Sequence, residues 1–544
     1  MYDRNPMIEP KGAEWKRVEV RDAAQRSTHG SGDGNGRPLA ESPMLTTATG
    51  APAGTQQALT AGPRGPLLAQ DAMLLEAMQH FNRERIAPRV VHAKGAGAYG
   101  VFTVTGDITR YTRAAFLGAV GRRTEVFVRF SVLAADQGAA DSTRDLRGFA
   151  VRFYTPEGNW DLVGGNTPVS IVRDPFRFQS FVHARRRHPQ SNLPDMDMLW
   201  DFYSQCPETL HQITMIYSDR GLPSAYRFMN GYGAHAFSLI NPKGERTWCK
   251  FHLTSRQGVR NLDDAAATEL AGRDPDSASR DLFEAIARGE HPRWRVCVQA
   301  MTEDQARGFR WNPFDVTKVW PHGQYPLIEI GELELDRNPI DHFAEVEQAA
   351  FKPGAFVPGI GPSPDKMLQA RLLAYADAQH HRLGVNHHQI PVNAPRCPVM
   401  GFIRDGLGAL GEQCGMPGYW PNTMAGSPQP QSTADEPMWH LGDTTVDRYE
   451  PTDRDDDFTQ PGELYRRFDA GQRERLAARI AVELREARMD IRLRQLRHFF
   501  RADEDYGRRV AERLGIDVGE LCATVDAAGM RGRRQTTPGA TVGT

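Results

Sequence analysis

The chain has 544 residues, 40% of them hydrophobic and 25% charged, enough to bury a large core at the composition of an ordinary soluble globular protein. A formal net charge of -2 removes any global electrostatic reason to expect nucleic acid or an acidic membrane surface as partner. No stretch approaches the roughly 20 apolar residues of a membrane span, and the start, MYDRNPMIEPKGAEWKRVEVRD, lacks the apolar core of an export signal.

Six cysteines (Cys206, Cys249, Cys297, Cys397, Cys414 and Cys522) are scattered without a CxxC pair, so they read as reduced thiols in a cytoplasmic protein. Residues 22–66 are rich in Gly, Ala, Thr, Ser and Pro, and 1–66 reads as an extended arm. From 67 the texture changes. LLAQDAMLLEAMQHF carries apolar residues at helical spacing. VFTVTG, TEVFVRFSVL, GFAVRFYT, TPVSIVRD, RWRVCVQAMT and YPLIEIGELEL then read as strands between Gly, Asp, Asn and Pro turns. LWDFYSQCPETLHQITMIYS, SRDLFEAIARGE and HFAEVEQAAF read as interspersed helices. Together these make a strand-rich core over 67–337. Residues 338–455 are dense in Pro, Gly and Asn and poor in periodicity, as a segment wrapped over the rest would be. A charged, helix-periodic region predicts a helical domain over 456–530, and 531–544 is a tail whose Arg531, Arg533 and Arg534 read as a solvated end.

Two stretches carry chemistry. In RLLAYADAQHHRLG, Arg371, Tyr375 and Arg382 fall on one face of a helix. A cation one turn away favours the phenolate, and a ferric ion favours it more. Taken alone, the plainer reading is a surface tyrosine packed between arginines. In RVVHAKGAGAYG, His92 is of the type that moves a proton between two oxygens near neutral pH, although a histidine beside apolar residues is more often a core residue. Ser131 in VRFSVL is a candidate to orient its ring. GAGAYG also matches GxGxxG, which raises a dinucleotide-dependent reductase as a rival from another class. Strand-like VFTVTGD follows it where a Rossmann motif needs a helix, and no acid lies at the required distance.

FNRERIAPRVVHAKGAGAYG and RLLAYADAQHHRLG, in this order and separation, resemble the two signatures of the monofunctional haem catalases, small-subunit type. The resemblance runs through RDLRGFAVRFYTPEGNWDLVG, MNGYGAHAF, NPFDVTKVWPH, RNPIDHFAEVEQAAF and GPSPDKMLQARLLAY, covering roughly 60–425. It implies an α+β fold: an antiparallel eight-stranded β-barrel with N-terminal arm, wrapping segment and C-terminal helical domain, assembled as a homotetramer. It implies disproportionation of hydrogen peroxide at haem (ferric protoporphyrin IX), as protection against oxidative stress. Tyr375 matches the proximal iron ligand, the pairing for which catalase is the standard example. Arg371 matches its partner, His92 the distal acid and base, and Ser131 the hydrogen-bond partner of His92. Arg89, Arg129 and Arg382 match the arginines that hold the propionates, and Phe178 a ring packed on the porphyrin. His211, Ser218, Arg220, Val319, Trp320 and His322 match contacts for NADPH, with Thr254 where a lysine is common.

The departures cluster. VGGNTP places Gly165 where the family carries its distal asparagine, with Asn166 next in line but expected to point elsewhere. Ser170 stands for an aromatic residue, Leu133 for a smaller valine, and Gln179 for a proline beside Phe178. An altered distal cavity leaves a second expectation beside full catalase activity: the same fold and haem, with weakened disproportionation and mainly peroxidase-type turnover.

Overall fold

Alternation along the strands builds the centre of the molecule. In β2 (Arg123–Val132), Val126, Val128 and Phe130 join one buried apolar cluster, while Phe127, Arg129 and Ser131 fall on the opposite face, as the two-residue period of a strand requires. The same division runs through β1 (Gly95–Val104), β3 (Arg147–Thr155), β4 (Gly158–Gly165), β7 (Arg246–Ser255), β8 (Arg293–Met301) and β9 (Ile328–Arg337). Shorter β5 (Gly231–Tyr232), β6 (Phe237–Ile240) and β10 (Ile360–Gly361) complete the set. The structure, a computed structural model, describes residues 44–133, 136–411, 415–438, 445–450 and 455–517. The expectations for 1–43, the tail, Cys414 and Cys522 lie outside the described residues.

The sheet closes on itself. Its order runs β7-β5-β4-β3-β2-β1-β9-β8, and β8 pairs back with β7, giving an eight-stranded antiparallel barrel from which β6 and β10 extend. Aromatic rings fill it: Phe130 lies 4.7 Å from Phe149 and 5.2 Å from Tyr226, and Phe153 lies 4.6 Å from Trp160. Fully burying one such ring contributes about 1.5–3 kcal/mol, so this cluster carries much of the fold. GAGAYG forms β1, and a side chain at Gly100 would meet the Glu334 carbonyl at 1.9 Å. The glycine serves close strand packing, and the dinucleotide reading falls.

The helices are α1 (Ala72–Phe81), α2 (Pro175–Ala184), α3 (Met196–Gln205), α4 (Leu210–Tyr217), α5 (Asp264–Arg273), α6 (Ser277–Ala287), α7 (Glu303–Arg307) and α8 (Lys366–Leu383). After them come α9 (Thr459–Arg467), α10 (Ala470–Leu484), α11 (Met489–Ala502) and α12 (Glu504–Leu514). Leu476, Ile480 and Leu484 repeat at helical spacing on α10 and share a second core with Phe499, Tyr506, and the Trp200 and Ile213 side chains of α3 and α4. The described residues up to 86 and those from 87 onward form separate compact units. In the described part of the first, Asp71 caps α1 by accepting from Leu74, and Leu75, Met78 and Phe81 are exposed.

Three segment readings need correction. TPVSIVRD forms no strand: Pro168 offers no ladder donor, the Thr167 hydroxyl bonds Gln212, and the Ser170 N–H is taken by Val316. HFAEVEQAAF contributes only one π-helical turn, Phe343–Glu347, because side-chain guanidiniums draw away the carbonyls of Val346 and Glu347. The single helix expected over LWDFYSQCPETLHQITMIYS is two, broken at Cys206-Pro207.

Candidate functional site

The chain enters β1 through His92, which holds a left-handed φ of 65°. That conformation strains an L residue, and here the backbone bonds over-determine it. The His92 N–H donates to Leu133 at 2.7 Å, and its carbonyl accepts from Arg129 at 2.9 Å. The ring turns toward β2, where Nδ1 lies 2.9 Å from the Ser131 hydroxyl. With the proton on Nδ1 and Ser131 accepting, Nε2 keeps a free lone pair. Burial, then the positive charge of Arg129, pushes the imidazole down to about 3, so it stays neutral at working pH.

Gly148 makes the pair sterically feasible. It sits opposite Ser131 in the β2–β3 register, and a Cβ there would lie 2.2 Å from the Ser131 oxygen and 2.9 Å from His92 Nδ1. Sequence reasoning passed over this residue, because only the register puts it against the histidine. Gly165 is the β4 partner of Gly148. Asn166 does point elsewhere: its Oδ1 accepts from the Arg147 N–H at 2.9 Å and its Nδ2 donates to the Arg220 carbonyl. Leu133 and half-buried Phe178 belong to the second apolar core, with Phe178 6.3 Å from Phe181.

A second constellation begins at the N-terminus of α8. Asp365 caps the helix, its Oδ1 accepting from Met367 at 2.9 Å and Leu368 at 3.1 Å. Its other oxygen lies 2.6 Å from Nδ1 of His235, and His235 Nε2 meets Nη1 of Arg371. Burial lowers the His235 pKa, so the ring is neutral: Nδ1–H donates to Asp365 and Nε2 accepts from Arg371. Arg371 then donates from Nη2 to the Tyr375 oxygen at 2.9 Å, with its guanidinium carbon 4.9 Å from the centre of that ring. A helical spacing expected from sequence thus ends in a directed charge-assisted bond. His235 and Asp365 were missed, since nothing local marks them.

The remaining arginines converge on Glu347 at the end of the π-helical turn. Arg89 and Arg382 reach its carboxylate at 3.4 Å and 3.1 Å. Arg129 carries a buried Nε with no partner among the described residues. Burial and mutual repulsion lower the pKa of Arg89. Three buried guanidiniums against one carboxylate leave two positive charges unmatched, which suits a ligand bearing two carboxylates. Tyr375 presents a phenol oxygen, held by Arg371, as a donor atom for ferric iron, and the described residues contain no cluster of three or more His, Cys, Asp or Glu that could hold a metal by itself. This donor set fits haem.

The six positions matched to NADPH do not share one open surface. His211, Ser218 and Trp320 are buried, and His211 Nδ1 is bonded to the Thr317 carbonyl at 3.0 Å. Both backbone groups of Val319 are taken by the Gln460 side chain, at 2.9 and 3.0 Å. Arg220 and His322 are exposed. Beside this segment a surface cleft of about 420 Å³ is lined by Arg310, Trp311, Pro321, Arg466 and Arg467, among others.

A family model described as Catalase matches residues 46–426, and one described as Catalase-related immune-responsive matches 451–514. Catalase A of Pseudomonas putida is 53% identical over 478 residues, covering 88% of this chain and 100% of the relative. A catalase of Methanosarcina barkeri is 51% identical, covering 88% of this chain and 95% of the relative. Among solved structures, a bacterial catalase is similar at TM-score 0.83 and 40% identity, covering 88% of this chain and 97% of that one. Catalase A from Saccharomyces cerevisiae is similar at TM-score 0.82 and 40% identity, covering 87% and 99%.

Proposed function

The chain belongs to the catalase family, and from that premise we propose how its own residues serve the disproportionation of two hydrogen peroxide molecules to two of water and one of dioxygen. Its relatives favour this reaction over the weakened, peroxidase-type alternative. Haem, held by Tyr375 through its ring oxygen and by Arg89, Arg129 and Arg382 through its propionates, supplies the redox chemistry when bound. The form proposed is ferric protoporphyrin IX, against which Phe178 would pack.

His92 does the proton work. Neutral, and held by Ser131 through Nδ1, it takes a proton from one peroxide oxygen at Nε2 and returns it to the other as the O–O bond breaks. Arg371 donates a charge-assisted hydrogen bond to the Tyr375 oxygen, and Asp365 and His235 keep Arg371 aimed. The observation that carries this reading is the continuous Asp365–His235–Arg371–Tyr375 chain. The test is the ferric absorption spectrum and oxygen evolution of wild type beside Tyr375→Phe. Loss of the wild-type spectrum and of oxygen release supports the assignment; an unchanged spectrum overturns it.

Homotetramer formation is part of the proposal, supported by exposed apolar side chains such as Phe81 at the end of α1 and Leu407 and Trp420 in the wrapping segment. NADPH binding is supported by the arginine-lined cleft next to Pro321, and mass measurement with equilibrium dialysis tests both. A cytoplasmic location is proposed from the unpaired Cys206, Cys249, Cys297 and Cys397; no helix among the described residues is long and apolar enough to cross a membrane.

A further inference from the structure

Lys250 is a buried cation that the proposed mechanism does not use. It lies on β7 at 4% exposure, between Cys249 and Phe251, whose side chains enter the barrel. Its own side chain therefore leaves the barrel on the opposite face, alongside Trp248 and His252. There Nζ donates to the carbonyls of Ala234 at 3.0 Å and Lys318 at 2.9 Å, and it sits 5.5 Å from the centre of the Trp320 ring. Burying an ammonium is costly, and an apolar side chain would fill a strand position without that cost. Burial pushes its pKa down to about 8, and the carboxylates of Asp365 and Asp315 are the charges that oppose the shift.

What the ammonium holds is unusual. Ala234 has a left-handed φ of 58°, a conformation that strains any residue with a Cβ. The next residue is His235, the ring between Asp365 and Arg371. If Ala234 relaxed to an ordinary negative φ, the peptide plane would turn and carry His235 off the line between those two partners. Its fixed bond to the Ala234 carbonyl opposes that rotation.

We propose that Lys250 is a positioning residue for the tyrosine side of the site: by clamping the Ala234 carbonyl it holds the strained backbone that aims His235 at Arg371, and so fixes the hydrogen bond that Arg371 gives the Tyr375 oxygen. The inference rests on the reading of Tyr375 as the iron ligand. A purely structural role for Lys250, satisfying two carbonyls, would not depend on what residue occupies position 234.

The test uses ferric holoprotein and reads the phenolate-to-iron charge-transfer band alongside oxygen release. Lys250→Met is expected to shift that band and to lower turnover roughly tenfold, the effect of a slightly misaimed supporting group. Ala234→Gly makes the left-handed conformation intrinsically accessible, so it is expected to keep the wild-type band alone and to restore it in the Lys250→Met background. An unshifted band in Lys250→Met overturns the inference, and so does a shifted band that Ala234→Gly fails to restore. Should Lys250→Met yield no holoprotein, the double variant decides: holoprotein with the wild-type band supports the clamp, and its absence overturns it. Tyr375→Phe separates the two levels. A lost band in that control leaves Lys250 alone on trial, whereas a retained band overturns the ligand reading and this inference with it.

Discussion

His92 combines two features that rarely coincide, a left-handed backbone and a ring kept neutral down to about 3. The first costs about 1–2 kcal/mol and is offset by bonds to Leu133 and Arg129. Removing the ring by His92→Ala is expected to lower oxygen release by roughly 10²–10⁴-fold, the usual worth of a placed acid and base, with the ferric spectrum retained. Since the imidazole does not charge near its ordinary value, turnover should run flat from about pH 8 to about pH 5, with no inflection at an unperturbed histidine's position near 6.5. Stopped-flow oxygen release across that range checks it. Gly148→Ala asks whether space alone holds the pair: its methyl must displace the Ser131 oxygen or the ring, and turnover is expected to fall about tenfold or more while the fold persists. The histidine and serine were legible as residue types beside a family pattern. Their partner glycine was not, because its role is the absence of an atom, visible only when two strands are in register.

At the scale of the element, α8 does three jobs with one acid. Asp365 caps two N–H groups and orients His235, so Asp365→Ala removes a cap worth about 1 kcal/mol and a charge-assisted bond worth about 1.5–3 kcal/mol. Urea unfolding is expected to show a loss of about 2.5–4 kcal/mol. Asp365→Asn keeps the cap and should recover the smaller share. The helix itself was readable: Arg371 and Tyr375 four apart predicted a shared face, and the 2.9 Å bond is that face realised. His235 was not, for it arrives from 130 residues away along the chain from Asp365. The π-helical turn at Phe343–Glu347 was misread for a related reason: the arginines that take its carbonyls come from distant segments, and no local pattern announces them.

Across the whole molecule, buried histidines couple stability to acid. His211, bonded to the Thr317 carbonyl, and His252, bonded to Gln299, are each pushed down to about 4 by burial. A histidine whose folded pKa lies below its unfolded value near 6.5 binds its proton more tightly when unfolded. Their contribution is therefore complete above about pH 6.5 and drains away as the pH falls toward 4, on the order of 3 kcal/mol for each ring. Denaturation midpoints at about pH 7, 5.5 and 4 should fall in that order, and His252→Gln should flatten the lower part of the slope. A midpoint that holds steady between about pH 6.5 and 4 contradicts this account.

The amino-acid order determined the period of each strand, the face of α8, the two family signatures and hence the barrel and its chemistry, because these depend on residues near one another or on a pattern read along the chain. Closure of the barrel by β8 on β7, the bend in place of a strand at TPVSIVRD, and the company His92 and Tyr375 keep were decided only in three dimensions. A hydrogen bond or an empty volume between Gly148 and His92 requires atoms brought to within a few ångströms of each other. Packing distant segments against a common core does that, and no local propensity encodes it.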